Sequence, residues 1–195
     1  FHCNGWCFPW SLSVAAGTHV CLRQVRAGLI YQLMREHGVT HLCGAPIVMS
    51  TLLGASEDEK QQLNNPVRFF PAAAPPPQAV LAAMKAAGFE VTHLYGLTET
   101  YGPAAVNEWQ EEWNDLNSSQ QAQMKARQGV RYQVLEELTV IDPETMHPVP
   151  KDGETMGEVM FRGNIVMKGY LKNPQALLQF DLGHCIKHVF VQQYP

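Results

Sequence analysis

Apolar positions in the first half of the chain follow helix spacing and strand spacing in turn. Leu29, Ile30, Leu33 and Met34 recur on one helical face and precede Gly38, which is typical of a helix with a glycine C-cap. The pattern predicts helices over 8–16, 27–36, 47–53 and 78–87, and strands over 18–22, 39–43, 67–70 and 90–94. Short strands separated by helices indicate β–α–β units. We therefore expect an α/β fold in which helices flank a parallel sheet.

The pattern changes after Pro103. A polar stretch predicts a surface helix over 118–127, and the strand-like runs 132–140 and 158–161 predict a small antiparallel β region. The remaining residues show no clear periodicity. These changes divide the chain into an α/β portion (1–103), a surface-helix and β-barrel-like portion (104–176) and an atypical tail (177–195).

Composition and charge narrow the class of protein. Of the 195 residues, 46% are hydrophobic and only 16% are charged, which suits a buried α/β core or a piece of a larger protein. The net charge of −4 shows no basic footprint, so we expect no nucleic-acid partner. Because no apolar run is long enough, we expect no membrane span. The first residue is Phe1 and not Met, so we expect the natural N-terminus to lie upstream.

The cysteines are odd in number and scattered, which argues against a disulfide framework and for a reducing compartment; they are Cys3, Cys7, Cys21, Cys43 and Cys185. His2, Cys3 and Cys7 could be imagined as a metal site. Their spacing is not that of a zinc finger or ribbon, and no second pair follows. Half-buried thiols in an apolar stretch are the favoured interpretation.

The segment Tyr95–Pro103 follows a predicted strand and carries residue types suited to a nucleotide. Gly96 permits close approach of the backbone, and Tyr95 offers a flat face for a base. The Thr98 hydroxyl can donate to a phosphate oxygen, and the Glu99 carboxylate suits Mg²⁺. The alternative is a strand-to-helix turn in which Thr98 and Glu99 form a cap. Residue types alone do not decide between the two.

Four segments in one order resemble the adenylate-forming superfamily, which contains acyl-CoA synthetases, luciferases and peptide-synthetase adenylation domains. Residues 1–6 are similar to its Phe-His-x-x-Gly segment, and 71–75 occupy the place of its Gly-Gly-Ala-Pro loop. Residues 95–103 are similar to its Tyr-Gly-x-Thr-Glu signature, and 157–170 to its Gly-Glu…Arg-Gly…Gly-Tyr segment. The resemblance covers residues 1 to about 176, and it looks closest to plant-type enzymes acting on short-chain, medium-chain or aromatic acids.

The resemblance implies a two-step reaction. A carboxylate attacks the α-phosphate of ATP with Mg²⁺ to give acyl-AMP, and the thiol of coenzyme A then displaces AMP. Thr98 would bind the AMP phosphate, Glu99 would hold Mg²⁺ and His2 would lie near the carboxylate. The implied nucleotide contacts are Ala73, Ala74, Pro75, Tyr95, Gly96 and Leu97, and the implied acyl pocket is Trp6, Gly44, Ala45, Pro46 and Gly102.

Parts of the family pattern are not found in these residues. The loop that wraps the ATP β- and γ-phosphates and the hinged C-terminal lid domain with its lysine have no counterpart here. Asp181 could be a remnant of the ribose-binding Thr-Gly-Asp motif, although Thr-Gly is missing and the spacing is short.

The resemblance therefore implies the middle section of an intracellular acid–CoA ligase, cytoplasmic or peroxisomal, that is inactive by itself. The alternative is a non-catalytic AMP-binding or interaction fragment, or a truncated product without function.

Overall fold

The computed structural model describes Gly5, residues 7–63, 65–72 and 76–173, and the backbone of 185–188. The chain divides into two compact units, each built from two stretches. The first unit contains Phe1–Gly96 and Ala105–Val130, and the second contains Leu97–Ala104 and Arg131–Pro195.

The helices are α1 (Phe8–Val14), α2 (Ala27–His37), α3 (Pro46–Leu53), α4 (Gln78–Ala86) and α5 (Ser118–Lys125). The strands are β1 (His41–Gly44), β2 (Val67–Pro71), β3 (Phe89–Val91), β4 (Leu94–Gly96), β5 (Pro103–Val106), β6 (Val130–Arg131), β7 (Glu137–Ile141), β8 (Glu158–Arg162) and β9 (Cys185–His188). They form three-stranded sheets in the orders β1–β2–β3, β4–β5–β6 and β7–β8–β9.

The first sheet is parallel throughout, which confirms the predicted α/β class. Buried residues of α2, α3 and α4 form one apolar core with Phe69 of β2 and Phe89 of β3. The Phe69 and Phe89 rings meet edge to face, with centroids 6.4 Å apart. Helices α2, α3 and α4 form where predicted because each presents an apolar stripe to this sheet. Gly38 ends α2 in the left-handed region, at φ 59°, as a glycine C-cap does.

The second unit contains the predicted antiparallel region. β8 lies between β7 and β9 and pairs with both in the antiparallel sense. Phe161 of β8 is fully buried, as is Leu135 ahead of β7. The predicted strand over 132–140 starts late, since only Glu137 onward pairs with β8.

Two predictions about the first unit are wrong in detail. Residues 18–22 are not a strand, because they are largely exposed and pair with no strand in the described ranges. The run 90–94, predicted as one strand, contributes to two strands, β3 and β4. The Thr92 amide makes the last bond to β2, at Phe69 O, and the chain then leaves that sheet.

No helix in the described ranges combines the length and the apolar character needed to cross a bilayer.

Candidate nucleotide-binding site

The carboxyl ends of β1 and β2 lie side by side in the first unit. Gly44 and Pro71 are register partners, so the predicted pocket residues Gly44, Ala45 and Pro46 start from the same sheet edge as the 71–75 loop. In open parallel sheets, ligands bind beyond this edge. A Cβ on Gly44 would lie 3.0 Å from the Val48 side chain and 3.2 Å from Phe69 Cζ. Packing alone therefore accounts for the glycine at this position.

Ala72, which follows β2, and Leu94, which begins β4, lie close together in the first unit. Ala72 and Leu94 are both buried and belong to one small apolar cluster, with Phe8, Phe70 and Val106 packed against it. Phe8 and Phe70 stack, with ring centroids 5.8 Å apart. Tyr95 follows Leu94 and is half-buried, and this burial raises the pKa of its phenol. Gly96, next in the chain, is buried.

The start of β4 is held by buried polar groups that the sequence did not single out. His93 precedes β4 and its carbonyl accepts from the Asn107 amide at 2.9 Å. The Asn107 side-chain amide donates to Met124 O at 2.8 Å and to Arg127 O at 3.0 Å. Burial lowers the pKa of His93, and a hydrogen bond to the Arg127 backbone acts against that shift. These contacts fix the strand from which the Tyr95 segment emerges.

The chain enters the second unit at Leu97, and a short 3₁₀ helix covers Thr98–Thr100. Thr100 is fully buried and organises this turn. Its Oγ1 accepts from the Leu97 amide at 2.9 Å and lies 3.0 Å from the Gly102 carbonyl, to which it can donate. Gly102, one of the predicted pocket residues, is also buried. The turn is thus capped by the Thr100 hydroxyl, and not by Thr98 and Glu99 as in the alternative interpretation.

Thr98 and Glu99 are left with side chains that the turn does not use. Thr98 is exposed, and its hydroxyl makes no hydrogen bond with the described residues. The Glu99 side chain turns instead to Tyr170, whose hydroxyl donates to Glu99 Oε1 at 2.5 Å. This hydrogen bond to a carboxylate is the main cause that raises the pKa of Tyr170. The Glu99 carbonyl accepts from the Met167 amide at 2.8 Å.

The donor set at Glu99 fits a magnesium ion that carries its own phosphate ligands. Mg²⁺ commonly binds proteins through one or two carboxylates and completes its shell with phosphates and waters. Glu99 supplies one such carboxylate, and only its Oε1 is engaged by Tyr170. Within the described residues there is no group of three or more His, Cys, Asp or Glu side chains suited to a metal.

Several predicted site residues lie outside the described residues: His2, Trp6, Ala73, Ala74, Pro75 and Asp181. Sequence reasoning missed Thr100 and Tyr170. Tyr170 stands in the Gly-Tyr segment that carried part of the resemblance, but nothing in the sequence pairs it with a residue 71 positions away.

The parallel sheet with its flanking helices defines an α/β protein, and comparison with known proteins makes the class specific. The family model described as AMP-binding enzyme matches residues 1–171. The chain belongs to this family.

Its relatives include plant acid–CoA ligases. The chain is 54% identical over 177 residues to the peroxisomal acetate/butyrate–CoA ligase AAE7 of Arabidopsis thaliana. It is 52% identical to the acetate–CoA ligase CCL3 of Humulus lupulus, and each alignment covers 90% of this chain. The chain spans 31% of the length of each of these relatives.

Solved structures agree on the fold. The O-succinylbenzoate coenzyme A synthetase of Bacillus subtilis, in complex with ATP and magnesium ion, matches with a TM-score of 0.76 at 18% identity. That match covers 95% of this chain and 36% of the synthetase. The N-terminal domain of FACL13 from Mycobacterium tuberculosis matches with a TM-score of 0.73 at 19% identity, over 90% of this chain and 41% of that domain.

Proposed function

We propose that this chain supplies part of the adenylate site of an ATP-dependent carboxylic acid–CoA ligase. The full reaction would convert an acid and ATP to acyl-AMP and pyrophosphate, and then acyl-AMP and coenzyme A to acyl-CoA and AMP. Family membership supports the proposal, as do the relatives named for acetate, butyrate and benzoate. Those names favour short-chain or aromatic acids as substrates, and the sequence motifs indicate the same range and medium chains as well.

One observation carries the proposal. The turn after β4 is capped by the buried Thr100 hydroxyl, so the fold does not need the Thr98 hydroxyl or one of the Glu99 carboxylate oxygens. An exposed hydroxyl next to a carboxylate is what a phosphate with its magnesium ion requires. The competing interpretation, in which Thr98 and Glu99 cap the turn, has no support in these contacts.

The side chains would act by positioning and by neutralising charge, which is the main need of phosphate chemistry. Thr98 would donate to the AMP phosphate, and Glu99 would hold the magnesium ion, which supplies positive charge beside the phosphates. Tyr95, with Gly96, Leu97 and the 73–75 loop, would contact the adenine. His2 would lie near the substrate carboxylate, and Asp181 near the ribose.

The other predicted site residues would line the pocket for the acyl group: Trp6, Gly44, Ala45, Pro46 and Gly102. We propose that the 195 residues need further parts, a triphosphate loop and a hinged lid, to complete the reaction. The site residues then lie mainly in the 1–103 portion. An intracellular location, cytoplasmic or peroxisomal, accords with the peroxisomal relatives.

Removing the Thr98 hydroxyl tests the proposal on the chain itself. Thr98→Val keeps the shape of the side chain and removes the donor, so we expect AMP affinity, measured by isothermal titration calorimetry, to fall about tenfold or more. Thr18→Val is the matched control, because Thr18 is also exposed and its hydroxyl makes no hydrogen bond with the described residues. The control should bind AMP as the unaltered chain does.

Equal AMP affinity in the Thr98→Val variant and the unaltered chain would contradict the phosphate role of Thr98. Absence of AMP binding in the unaltered, folded chain would contradict the nucleotide site as a whole.

A further inference from the structure

Tyr170 makes a side-chain contact with the candidate magnesium ligand. Its hydroxyl donates to Glu99 Oε1 at 2.5 Å, although the two residues are 71 positions apart in the chain. Both residues belong to the second unit. A hydrogen bond to a charged oxygen is shorter and stronger than a neutral one, so this contact can fix the orientation of the Glu99 carboxylate.

A main-chain bond adds a second point of attachment. The Met167 amide donates to the Glu99 carbonyl at 2.8 Å, so the 167–170 segment holds both the backbone and the side chain of Glu99. With both ends held, the carboxylate has little freedom to rotate away from one direction.

Tyr170 is itself set in place by local backbone geometry. Gly169 has a φ of 149°, a conformation that side-chain-bearing residues rarely adopt. The Asn173 amide donates to the Tyr170 carbonyl at 3.2 Å and closes a turn after it. The Gly-Tyr pair therefore delivers a phenol to Glu99 at a defined angle.

The chemistry of the donor matters as much as its position. No Lys, Arg or His of the described residues forms an ion pair with Glu99. A phenol orients a carboxylate without cancelling its charge, whereas a lysine or arginine would compete with a cation for it. Oε2 of Glu99 thus remains for a metal.

We propose that Tyr170 is a positioning residue for Glu99 that presents one carboxylate oxygen to a divalent cation. This inference rests on the proposed function, which makes Glu99 the metal ligand. Hydrogen-bond partners of metal-binding carboxylates commonly change metal affinity by 10–100-fold when they are replaced. Tyr170 acts through Glu99 and has no assigned contact with substrate.

Manganese binding provides a readout that is independent of catalysis. Mn²⁺ stands in for Mg²⁺, and the electron paramagnetic resonance signal of free Mn²⁺ gives its dissociation constant for the chain with and without AMP. Tyr170→Phe keeps the ring and removes the donor, so we expect about tenfold or more weaker Mn²⁺ binding. Tyr132→Phe is the matched control, since the Tyr132 hydroxyl makes no hydrogen bond with the described residues, and it should bind Mn²⁺ as the unaltered chain does.

A double variant separates positioning from a general loss of structure. Glu99→Gln should remove most Mn²⁺ binding, and adding Tyr170→Phe to Glu99→Gln should cause no further loss if Tyr170 acts only through Glu99. A further loss in the double variant would overturn the inference. Thermal melts of all variants would show whether each is folded.

The remaining outcomes distinguish this inference from the proposed function. Unchanged Mn²⁺ affinity in Tyr170→Phe, or no Mn²⁺ binding by the unaltered chain, overturns the role of Tyr170 even if AMP binds. Mn²⁺ binding that needs both Glu99 and Tyr170 supports the inference even if AMP binding fails and the nucleotide site is rejected.

Discussion

At the scale of single residues, Thr98 and Thr100 have different roles in the turn after β4. Thr100 is buried and bonded to the backbone on both sides, whereas Thr98 is exposed and its hydroxyl is unused by the turn. Residue types together with the family resemblance predict that Thr98 binds a phosphate and Glu99 a cation. The sequence could not predict Thr100 or Tyr170, because their roles depend on burial and on a partner distant in the chain.

Replacing the buried Thr100 should destabilise the protein more than replacing the exposed Thr98. Thr100→Val is similar in shape but leaves the Leu97 amide without its acceptor, at an expected cost of about 1–3 kcal/mol in the free energy of unfolding. Thr100→Ser keeps the hydroxyl and should lose less. Chemical denaturation of both variants measures the difference. If Val proved as stable as Thr, or Ser less stable than Val, the hydroxyl would not be what holds the turn.

At the scale of elements, the periodic helices and the parallel pairing of the first sheet were predictable, because each buries one apolar face. Residues 18–22 have strand-favouring composition but pair with no strand in the described part of the chain. A strand forms only where its backbone groups are paired. The break between β3 and β4 could not be predicted from the sequence either. It depends on bonds that Thr92 and His93 make to Phe69 and Asn107, far from them in the chain.

Gly129 gives an element-scale prediction about the link between α5 and β6. Its φ is 90°, and a Cβ there would lie 1.9 Å from the Val106 carbonyl oxygen and 2.5 Å from the Asn107 nitrogen, which are backbone atoms. Because backbone cannot move aside as a side-chain tip can, Gly129→Ala should cost more than about 2 kcal/mol of unfolding free energy.

Gly38→Ala is the control, because it places a Cβ at a residue with a positive φ where no neighbouring atom is in the way. Gly38 has a φ of 59° and nothing within 4 Å of its Cβ position, so the variant should lose only about 1–2 kcal/mol. Equal losses for the two variants, measured by chemical denaturation, would show that the contact with Val106 does not matter.

At the scale of the whole molecule, family membership was predictable because four short motifs occur in one order. The two compact units were not, since each is assembled from two separate stretches and a pattern read along the chain does not show which stretches meet. The division at 103/104 and 176/177 remains a prediction. The roles assigned to all the site residues also remain predictions. Six of these residues lie outside the described residues: His2, Trp6, Ala73, Ala74, Pro75 and Asp181.

We expect residues 1–171 to carry a usable part of an acid–CoA ligase site. A chimera tests it most directly: these residues replace the matching segment of the Arabidopsis acetate/butyrate–CoA ligase, of which the chain spans 31%. We expect the chimera to catalyse acetate-dependent exchange between ATP and pyrophosphate, and Glu99→Ala to reduce that exchange on the order of 10²-fold or more. The isolated chain should show none. A folded chimera without exchange, or exchange unaffected by Glu99→Ala, would contradict the proposed role of these residues.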